Sequence, residues 1–371
     1  MTNREPLRVM VVDDTVLYRK IVSDVLATLP GVEVVGSAHN GKAAISRLTS
    51  LKPDLLTLDI EMPEMSGIEV LAHIQQHAPH IGAIMLSTLT QEGGAMTMKA
   101  LELGAFDFIP KPQTGTMAEN RHKIESAIAP MIRAFQRSTR IMGLSKPEAG
   151  QGKSAAIPAG RKIQALAARP FTAALNRSKA EIIAIGISTG GPNALAKMLP
   201  MIPGDIGVPI LIVQHMPPMF TRSLANSLAG KCAIAVREAT QGEPVLPNTA
   251  LIAPGGKQMK IVAGADGKNR IIKITDDPPE NSCRPSVDYL FRSVAHHYVG
   301  RATGVIMTGM GSDGTQALKL LKQSGATIIA QDEATCVVFG MPKAAVETGL
   351  ADAVLPLNQI ADRIVRTVRV G

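Results

Sequence analysis

Short apolar runs alternate with amphipathic stretches over the first 137 residues. The apolar runs are typical of buried strands, and the stretches between them carry the spacing of helices with one apolar face. The predicted strands are Leu7–Val12, Val32–Ala38, Leu55–Leu58, Ile81–Leu86 and Phe106–Ile109, and the predicted helices are Val16–Leu29, Lys42–Leu51, Gly67–Gln76, Gly94–Leu103 and Met117–Arg137. Five strand–helix units in this order predict a doubly wound α/β domain, with a parallel sheet between two layers of helices.

A similar pattern resumes after residue 180, with short antiparallel strands inserted in its middle. The predicted strands are Glu181–Ile187, Val208–Val213, Ala250–Ala253, Gln258–Val262, Arg270–Ile274, Ala302–Met307 and Thr327–Ala330. The predicted helices are Pro192–Leu199, Met219–Leu228, Ser286–Tyr298, Ser312–Gln323, Pro342–Thr348 and Leu357–Val368. The turn sequence Ala265-Asp266-Gly267-Lys268 joins two of the short strands. We therefore predict a second doubly wound α/β domain with a small antiparallel insertion.

The net charge of +8 is concentrated between the two predicted domains. Residues 138–180 hold eight Lys or Arg and one Glu, which gives +7 there and leaves +1 for the rest of the chain. That segment is also rich in Ala, Gly, Ser and Pro, as flexible linkers are. The predicted organisation is a first domain at 5–137, a basic linker at 138–180 and a second domain at 181–371. Because the rest of the chain is nearly neutral, a nucleic-acid-binding surface is not expected.

Composition narrows the class of protein further. A chain of 371 residues predicts two or three domains, and 3% aromatic residues with no Trp leaves few platforms for stacking bases. No apolar run reaches the length of a membrane helix, and the charged N-terminus does not resemble a signal peptide. The three cysteines lack C-x-x-C spacing, so neither a disulfide framework nor a zinc site is expected. We expect a soluble cytoplasmic protein.

Polar side chains follow the predicted strands of the first domain. Asp13 and Asp14 come directly after the first strand and Asp59 after the third, so three carboxylates should meet at one edge of the sheet. Such a cluster suits Mg²⁺, which prefers oxygen ligands. Ser87 ends the fourth strand and Lys111 the fifth. Exposure to solvent at a strand end would explain any one of these polar residues. The whole set together predicts a functional site at this edge of the sheet.

The motifs VVDD, LTLDIEMPEMSG, MLST and FIPKP make the first domain resemble the response-regulator receiver domain, which has a flavodoxin-like fold. The resemblance implies that Asp59 is the phosphoacceptor and that Asp13, Asp14 and Asp59 hold Mg²⁺. It also implies that Lys111 contacts the phosphoryl group and that Ser87 hydrogen-bonds it. A kinase of the chemotaxis histidine-kinase type is the implied phosphodonor.

In the second domain, the stretch from Ile185 to Pro192 reads IGISTGGP and fits G-x-S-x-G at a strand-to-helix junction. This geometry exposes the hydroxyl of Ser188 on a tight turn, as in serine hydrolases. Pro192 can open the next helix, whose N-terminal N–H groups favour a developing oxyanion. A glycine-rich loop that binds phosphate or a dinucleotide, or simply a tight turn, fits the same pattern.

A serine nucleophile needs a base and an orienting acid. His215 ends the strand that follows the Ser188 turn, and it is the histidine that the topology brings to this turn. Asp313 lies in the glycine-rich segment Thr308–Gly314, at the same edge of the sheet, although capping of a helix that begins near Gly314 would explain it equally. The chain order Ser, His, Asp differs from that of α/β-hydrolases.

The motifs IGISTGGP, QHMP, RPSVDYLF and MTGMGSDG resemble the Rossmann-like catalytic domain of CheB-type chemotaxis methylesterases. The resemblance implies a triad of Ser188, His215 and Asp313, with the backbone of Met310 at the oxyanion and Thr189 lining the site. It implies hydrolysis of glutamate methyl esters on chemoreceptor signalling helices, often with deamidation of receptor glutamines, and no cofactor in this domain. The receiver domain should cover the site until Asp59 is phosphorylated.

Cys283 departs from this family, whose members usually carry His there. We expect it to alter contacts at the rim of the substrate site and to leave the triad untouched. Cys283 could in principle act as a nucleophile itself, but no histidine is evident beside it in the sequence. Two other functions remain open: a phosphorylation-switched scaffold without turnover, and an output protein that binds nucleic acid through the linker. A monomer without direct membrane insertion is expected.

Overall fold

The computed structural model describes residues 5–141 and 178–369. Its N-terminal strands are β1 (Leu7–Val12), β2 (Val32–Ala38), β3 (Leu55–Asp59), β4 (Gly82–Ser87) and β5 (Asp107–Pro110). The helices that follow them are α1 (Val16–Ala27), α2 (Gly41–Leu51), α3 (Gly67–His77), α4 (Gln91–Glu102) and α5 (Met117–Ile141). The five strands form one parallel sheet in the order β2-β1-β3-β4-β5.

The C-terminal strands are β6 (Ile182–Ile187), β7 (Ile210–Gln214), β8 (Ala235–Glu238), β9 (Thr249–Ile252), β10 (Gln258–Ala263), β11 (Arg270–Thr275), β12 (Ala302–Ile306), β13 (Thr327–Gln331) and β14 (Ala353–Leu355). The helices are α6 (Gly191–Met198), α7 (Phe220–Ala229), α8 (Val287–His297), α9 (Thr315–Gln323), α10 (Met341–Glu347) and α11 (Leu357–Arg369), with a 3₁₀ turn at Leu199–Met201. Seven strands form a second parallel sheet, β14-β13-β12-β6-β7-β9-β8, and β10 pairs antiparallel with β11.

Alternate residues of the central strands enter different hydrophobic layers, as the pleat of a strand requires. In β1, Val9 and Val11 pack with α1 and α5, whereas Met10 and Val12 pack on the side of α3 and α4. In β6, Ile182 and Ala184 face the layer of α8 and α9, whereas Ile183, Ile185 and Ile187 face the opposite layer. Each sheet is therefore covered on both faces.

The two halves share one hydrophobic layer, because buried residues of α3 and α4 and buried residues of α6 and α7 belong to the same cluster. The rings of Phe108 and Phe220 lie 4.6 Å apart across this interface. Helix α4 reaches α7 closely at Gly94, where an added Cβ would meet Ser223 Oγ at 2.6 Å. The receiver-like half is therefore docked on the second half through apolar contact.

The predicted fold class is confirmed: two doubly wound parallel sheets and a small antiparallel pair. Helix α4 begins at Gln91, three residues before its predicted start, because the Thr90 side chain accepts a hydrogen bond from Gly93 N–H and caps it. Strands β8 and β14 were not predicted. Helix α5 continues to Ile141, and most of the predicted linker, residues 142–177, lies outside the described residues. Among the described helices none combines the length and the apolar character that crossing a bilayer requires.

Candidate functional site

The carboxyl edge of the first sheet gathers the predicted acidic residues. Oxygen atoms of Asp13, Asp14 and Asp59 all lie within 4.8 Å of one another. Asp13 and Asp59 are buried, whereas Asp14 is exposed. The topology explains this, because β1 and β3 are neighbours and both end at this edge.

Lys111 follows β5 and enters the same cluster. Its Nζ lies 2.7 Å from Asp13 Oδ2 and 2.6 Å from Asp59 Oδ2. Burial would lower the pKa of Lys111, but the carboxylates of Asp59 and Asp13 outweigh that effect and raise it. Burial raises the pKa of Asp59 to about 6, although the Lys111 ammonium opposes this shift. The ammonium thus compensates part of the negative charge at this edge.

The acidic cluster fits a hard divalent cation. Asp13 Oδ2 is buried and makes no hydrogen bond apart from its ion contact with Lys111. An oxygen in that position, with carboxylates of Asp14 and Asp59 beside it, offers the donor set that Mg²⁺ prefers.

Ser87 lies at the end of β4, and its hydrogen bonds run to helix α4. Its hydroxyl accepts a hydrogen bond from Thr97 Oγ1 at 2.7 Å and donates to the Gly93 carbonyl at 3.2 Å. Both partners lie in the helix that carries the interface glycine Gly94. The hydroxyl is therefore linked to the part of the receiver that contacts the second half.

Ser188 stands on the turn between β6 and α6. The Ser188 N–H donates to the Thr308 carbonyl at 2.9 Å, and Gln214 Nε2 donates to the Ser188 carbonyl at 3.0 Å. Gly190 has φ 75°, which favours glycine, and a Cβ there would also collide with Val337. Backbone contacts therefore fix the conformation of this turn. The half-buried side chain of Ser188 is not needed to hold it.

His215 and Asp313 meet at the carboxyl edge of the second sheet. His215 Nε2 lies 2.8 Å from Asp313 Oδ2, and Asp313 is 3% exposed. Burial would lower the pKa of His215, but its hydrogen bonds with Asp313 and Cys283 outweigh that effect and raise the pKa to about 9. The structure therefore brings the predicted base and acid together and favours the charged imidazolium.

Several donors surround the Asp313 carboxylate. Oδ1 accepts from Ser286 Oγ and Asn281 Nδ2, both at 2.9 Å, and Oδ2 accepts from the Val287 N–H at 2.7 Å. These donors and the charge of His215 outweigh burial and hold the pKa of Asp313 at about 2. Asp313 does not cap α9, whose N-cap Gly314 has no side-chain cap, so that alternative is wrong. Its carboxylate binds the N-terminus of α8 instead.

Ser188 and His215 line one cavity of about 140 Å³, but within the described residues no hydrogen bond joins their side chains. His215 Nδ1 instead faces Cys283 Sγ at 3.7 Å. The expectation that no histidine lies beside Cys283, and that it leaves the triad untouched, is therefore wrong. Residues Asn281 and Ser282, both at positive φ, turn the chain so that the thiol reaches the imidazole.

Two backbone N–H groups are available beside Ser188. Within residues 5–141 and 178–369, the N–H groups of Thr189 and Met310 donate to no acceptor. Thr189 directly follows the serine, and Met310 follows Gly309, where a Cβ would meet Ser188 Cβ at 2.7 Å. This is the placement that an oxyanion hole requires.

The N-terminal half forms one wall of this cavity. Asp107, Phe108, Pro110 and Met131 line it opposite the Ser188 turn and His215. Asp107 Oδ2 accepts a hydrogen bond from the Gly190 N–H at 3.2 Å, and burial raises the pKa of Asp107 to about 6. In this arrangement access to Ser188 is restricted by the docked receiver.

Three residues that contribute to this site were not predicted from the sequence. Gln214 holds the Ser188 carbonyl, Asn281 links Asp313 to Asp288, and Asp107 spans the interface. Of the three, only Gln214 could have been found from the sequence, because it directly precedes His215 at the end of the same strand. The other two act across 32 and 83 positions of sequence, which spacing does not reveal.

Comparison with known proteins covers both halves. Residues 9–121 match the model of the response regulator receiver domain, and residues 183–364 match that of the CheB methylesterase. A protein of Desulfotalea psychrophila named protein-glutamate methylesterase/protein-glutamine glutaminase is 58% identical over 363 residues, which cover 98% of this chain and 99% of the relative. A protein of Trichodesmium erythraeum with the same name is 40% identical, over 97% of this chain and 99% of the relative.

Solved structures match each half separately. The CheB methylesterase catalytic domain of Thermotoga maritima is 40% identical and aligns with 51% of this chain and 99% of that chain, with a TM-score of 0.49. The response regulator domain of Thermotoga maritima CheB is also 40% identical and aligns with 35% of this chain and 97% of that chain, with a TM-score of 0.32.

Proposed function

This chain belongs to the family of CheB methylesterases with a receiver domain, and we propose that it hydrolyses glutamate methyl esters on chemoreceptor signalling helices when its receiver is phosphorylated. The observation that carries this proposal is the His215–Asp313 pair, 2.8 Å apart, beside the cavity that also exposes Ser188. The similarity over 98% of the chain to a relative named for this activity supports it. The scaffold and nucleic-acid alternatives have no comparable support.

The reaction is acyl transfer through Ser188. Asp313 binds His215 at Nε2, so Nδ1 is the nitrogen left to take the serine proton. The alkoxide attacks the ester carbonyl, and the N–H groups of Thr189 and Met310 hold the oxyanion. Methanol leaves with the proton from His215, and water then releases glutamate from Ser188 by the same steps. The same chemistry acts on a glutamine amide with ammonia as leaving group, as the glutaminase part of the relatives' name describes.

The docked state restricts access to Ser188, because the receiver walls the cavity through Phe108 and Met131. Activation therefore requires access for a receptor helix, and undocking supplies it. The pKa of His215, raised to about 9, reflects its contacts with Asp313 and Cys283 within the C-terminal half and not the receiver. His215 must therefore lose a proton before it can take the proton of Ser188.

The receiver half regulates the proposed hydrolase. Asp59 is the proposed phosphoacceptor, with Asp13, Asp14 and Asp59 as ligands of Mg²⁺, and Lys111 as the cation that contacts the phosphoryl group. When bound, the metal ion offsets the charge of the incoming phosphoryl oxygens. A histidine kinase of the chemotaxis type is the proposed phosphodonor, and a monomer and the linker boundaries stay predictions.

The route from Asp59 to the interface passes through helix α4. A phosphoryl group on Asp59 attracts the Ser87 hydroxyl, which then releases the Gly93 carbonyl and Thr97. Both partners are in the first two turns of α4, next to the contact of Gly94 with Ser223. Reorientation of α4 therefore weakens its packing on α7 and favours the undocked state.

Replacing Gly94 by valine is expected to imitate phosphorylation. The new side chain collides with Ser223, and overpacking of about 1–3 kcal/mol shifts the docking equilibrium by about 5- to 150-fold toward the open state. Esterase activity without a phosphodonor should rise accordingly. The control is Ala95→Val, on the exposed neighbouring position of the same helix, which should leave this activity unchanged. Equal activity of the Gly94 variant and wild type would contradict the route.

Replacing Asp107 by alanine is expected to loosen docking and to remove its dependence on pH. The buried Gly190 N–H loses its acceptor, at a cost of about 1–3 kcal/mol. In the docked state, burial raises the pKa of Asp107 from its ordinary value of 3.8 to about 6, so the docked carboxyl binds its proton more tightly than one exposed to water. Docking is therefore most stable below the lower value and weakens as pH rises through about 6.

Hydrogen exchange of segment 186–198, corrected for intrinsic rates at each pH, measures this opening. Protection in wild type should fall between pH 5 and 7, and the Asp107 variant should show low protection without that trend. The opposite trend in wild type would contradict the assignment of Asp107 to the interface.

The proposed activity is tested by mass spectrometry of methylated receptor signalling domains incubated with the full-length protein, a phosphodonor and Mg²⁺. Loss of methyl groups from glutamate is expected, and conversion of glutamine to glutamate tests deamidation. If Asp59 becomes phosphorylated while the receptor domains stay unchanged, the esterase proposal fails and the scaffold alternative replaces it.

A further inference from the structure

We propose that Cys283 and His215 form a binding site for Zn²⁺ or a similar soft divalent cation, and that its occupation inhibits the hydrolase. The binding site stands on geometry alone, whereas the inhibition rests on the proposed function. Within the described residues, Cys283, His215 and Asp313 form one of two groups of at least three His, Cys, Asp or Glu whose ligand atoms all lie within 4.8 Å of one another. The sequence excluded a zinc site only by its lack of C-x-x-C spacing, and these ligands are 68 positions apart.

The distance between the two ligand atoms fits a tetrahedral ion. Bond lengths of about 2.3 Å to sulfur and 2.0–2.1 Å to nitrogen, at a tetrahedral angle, separate S and N by about 3.5 Å. Cys283 Sγ and His215 Nδ1 are 3.7 Å apart. An adjustment of about 0.2 Å therefore brings both atoms onto one ion. The adjoining cavity of about 140 Å³ leaves space for water ligands.

The imidazole is already prepared as a ligand. A histidine that binds a metal usually donates its other N–H to a carboxylate, which fixes the tautomer and raises the basicity of the ligating nitrogen. His215 donates its Nε2–H to Asp313 in this way, at 2.8 Å, and the Asp313 carboxylate also accepts from Ser286 Oγ and the Val287 N–H. A cation that binds here displaces the protons of Nδ1 and of the thiol, and the lone pair of Nδ1 then lies on the side of the sulfur. Asp313, saturated by its own donors, supports the site without ligating.

The thiol is positioned by a tight turn. The Glu280 and Cys283 backbones exchange hydrogen bonds of 3.1 and 2.7 Å, and the two residues between them have φ 50° and 62°. Asn281 in this turn also binds Asp313, so the thiol and the His215–Asp313 pair are held by one structure. A fixed pair of ligands loses less entropy on binding an ion than a flexible pair does.

Ligand chemistry separates this site from the acidic cluster. Thiolate and imidazole select zinc and related ions, whereas the carboxylates of the receiver suit Mg²⁺. A cation on Nδ1 occupies the lone pair that must accept the Ser188 proton. Zinc therefore stops hydrolysis directly, without any change in receiver phosphorylation.

The test uses full-length, metal-free, reduced protein in excess Mg²⁺, titrated with Co²⁺ as a spectroscopic substitute for zinc. A near-ultraviolet thiolate-to-cobalt charge-transfer band is expected, saturating at one equivalent and removed by Zn²⁺. Cys283→Ala should lose the band, whereas Cys232→Ala and Asp59→Asn should keep it. No band in wild type, or a band that persists in Cys283→Ala, would overturn the site and leave the contact a simple S–H···N hydrogen bond.

Inhibition is measured separately, as the ratio of methyl ester hydrolysis with and without Zn²⁺ for each variant. We expect reversible inhibition of wild type that a chelator relieves, with a half-inhibiting concentration at least about tenfold higher for Cys283→Ala. Equal sensitivity of both proteins would overturn the inhibitory role. A band without hydrolysis in any variant would support the metal site while refuting the esterase proposal.

Discussion

Replacing Ser188 by alanine is expected to lower methyl ester hydrolysis by about 10⁶-fold, the scale found when the nucleophile of a serine hydrolase is removed. The residue that remains keeps its backbone contacts with Thr308 and Gln214, so the turn should persist and the thermal midpoint should barely change. The loss is therefore one of chemistry and not of folding. Methanol release under saturating phosphodonor measures it.

The comparison variant is Cys283→Ala, because Cys283 is the other nucleophile in contact with His215. Removing the thiol frees Nδ1 for Ser188, so this variant should keep at least about a tenth of the wild-type rate. The reverse result, activity retained without Ser188 and lost without Cys283, would make the thiol the nucleophile and refute the assignment.

Replacing Asp313 by asparagine is expected to lower the hydrolysis rate by about 10³- to 10⁴-fold. The amide nitrogen would face donors that now meet carboxylate oxygens, among them His215 Nε2–H and Val287 N–H. His215 then loses the bond that leaves Nδ1 as the base. The effect should appear mainly in kcat, since Asp313 is buried and does not contact substrate.

Asp288→Asn is the matched control for this change. Asp288 is 2% exposed and accepts a hydrogen bond from Ala317 N–H at 2.7 Å, but it has no contact with His215. This variant should lower the free energy of unfolding by about 1–3 kcal/mol while keeping most of the activity. If both variants lost activity in proportion to stability, Asp313 would have only a structural role.

Much of the fold followed from the sequence because central parallel strands are continuous apolar runs. Strands such as β1 and β6 are buried on both faces and stand out from the helices beside them. The missed strands β8 and β14 are short and lie at the edges of the second sheet. With only three or four residues and partial exposure, they lack a pattern that distinguishes them from loops.

The start of helix α4 depends on contacts that the local sequence does not indicate. The predicted start was Gly94, whereas the helix begins at Gln91 and includes both Gly93 and Gly94. Glycine weakens a helix, but at these two positions other side chains leave no room for a Cβ, Thr88 at Gly93 and Ser223 at Gly94. Ser223 belongs to the other half of the protein, so the sequence of α4 alone cannot predict this contact.

The convergence of Ser188, His215 and Asp313, the proposed triad, was predictable from topology, since they follow β6, β7 and β12, and these strands are neighbours in the sheet. The contact of Cys283 with His215 was not, because it depends on a turn with two residues at positive φ in a loop outside the sheet. The role of Asp107 was hidden for another reason. It lies in an ordinary strand of the first sheet, and only docking gives its carboxylate the Gly190 N–H.

The most direct test of a phosphorylation-controlled serine esterase is the rate of methanol release from methylated receptor signalling domains, measured with and without a small phosphodonor in Mg²⁺. Wild type should release methanol faster with the phosphodonor, and Asp59→Asn should show only the unstimulated rate. The Ser188→Ala variant should release none above background under either condition. Stimulation that persists in Asp59→Asn, or release that persists without Ser188, would contradict the account.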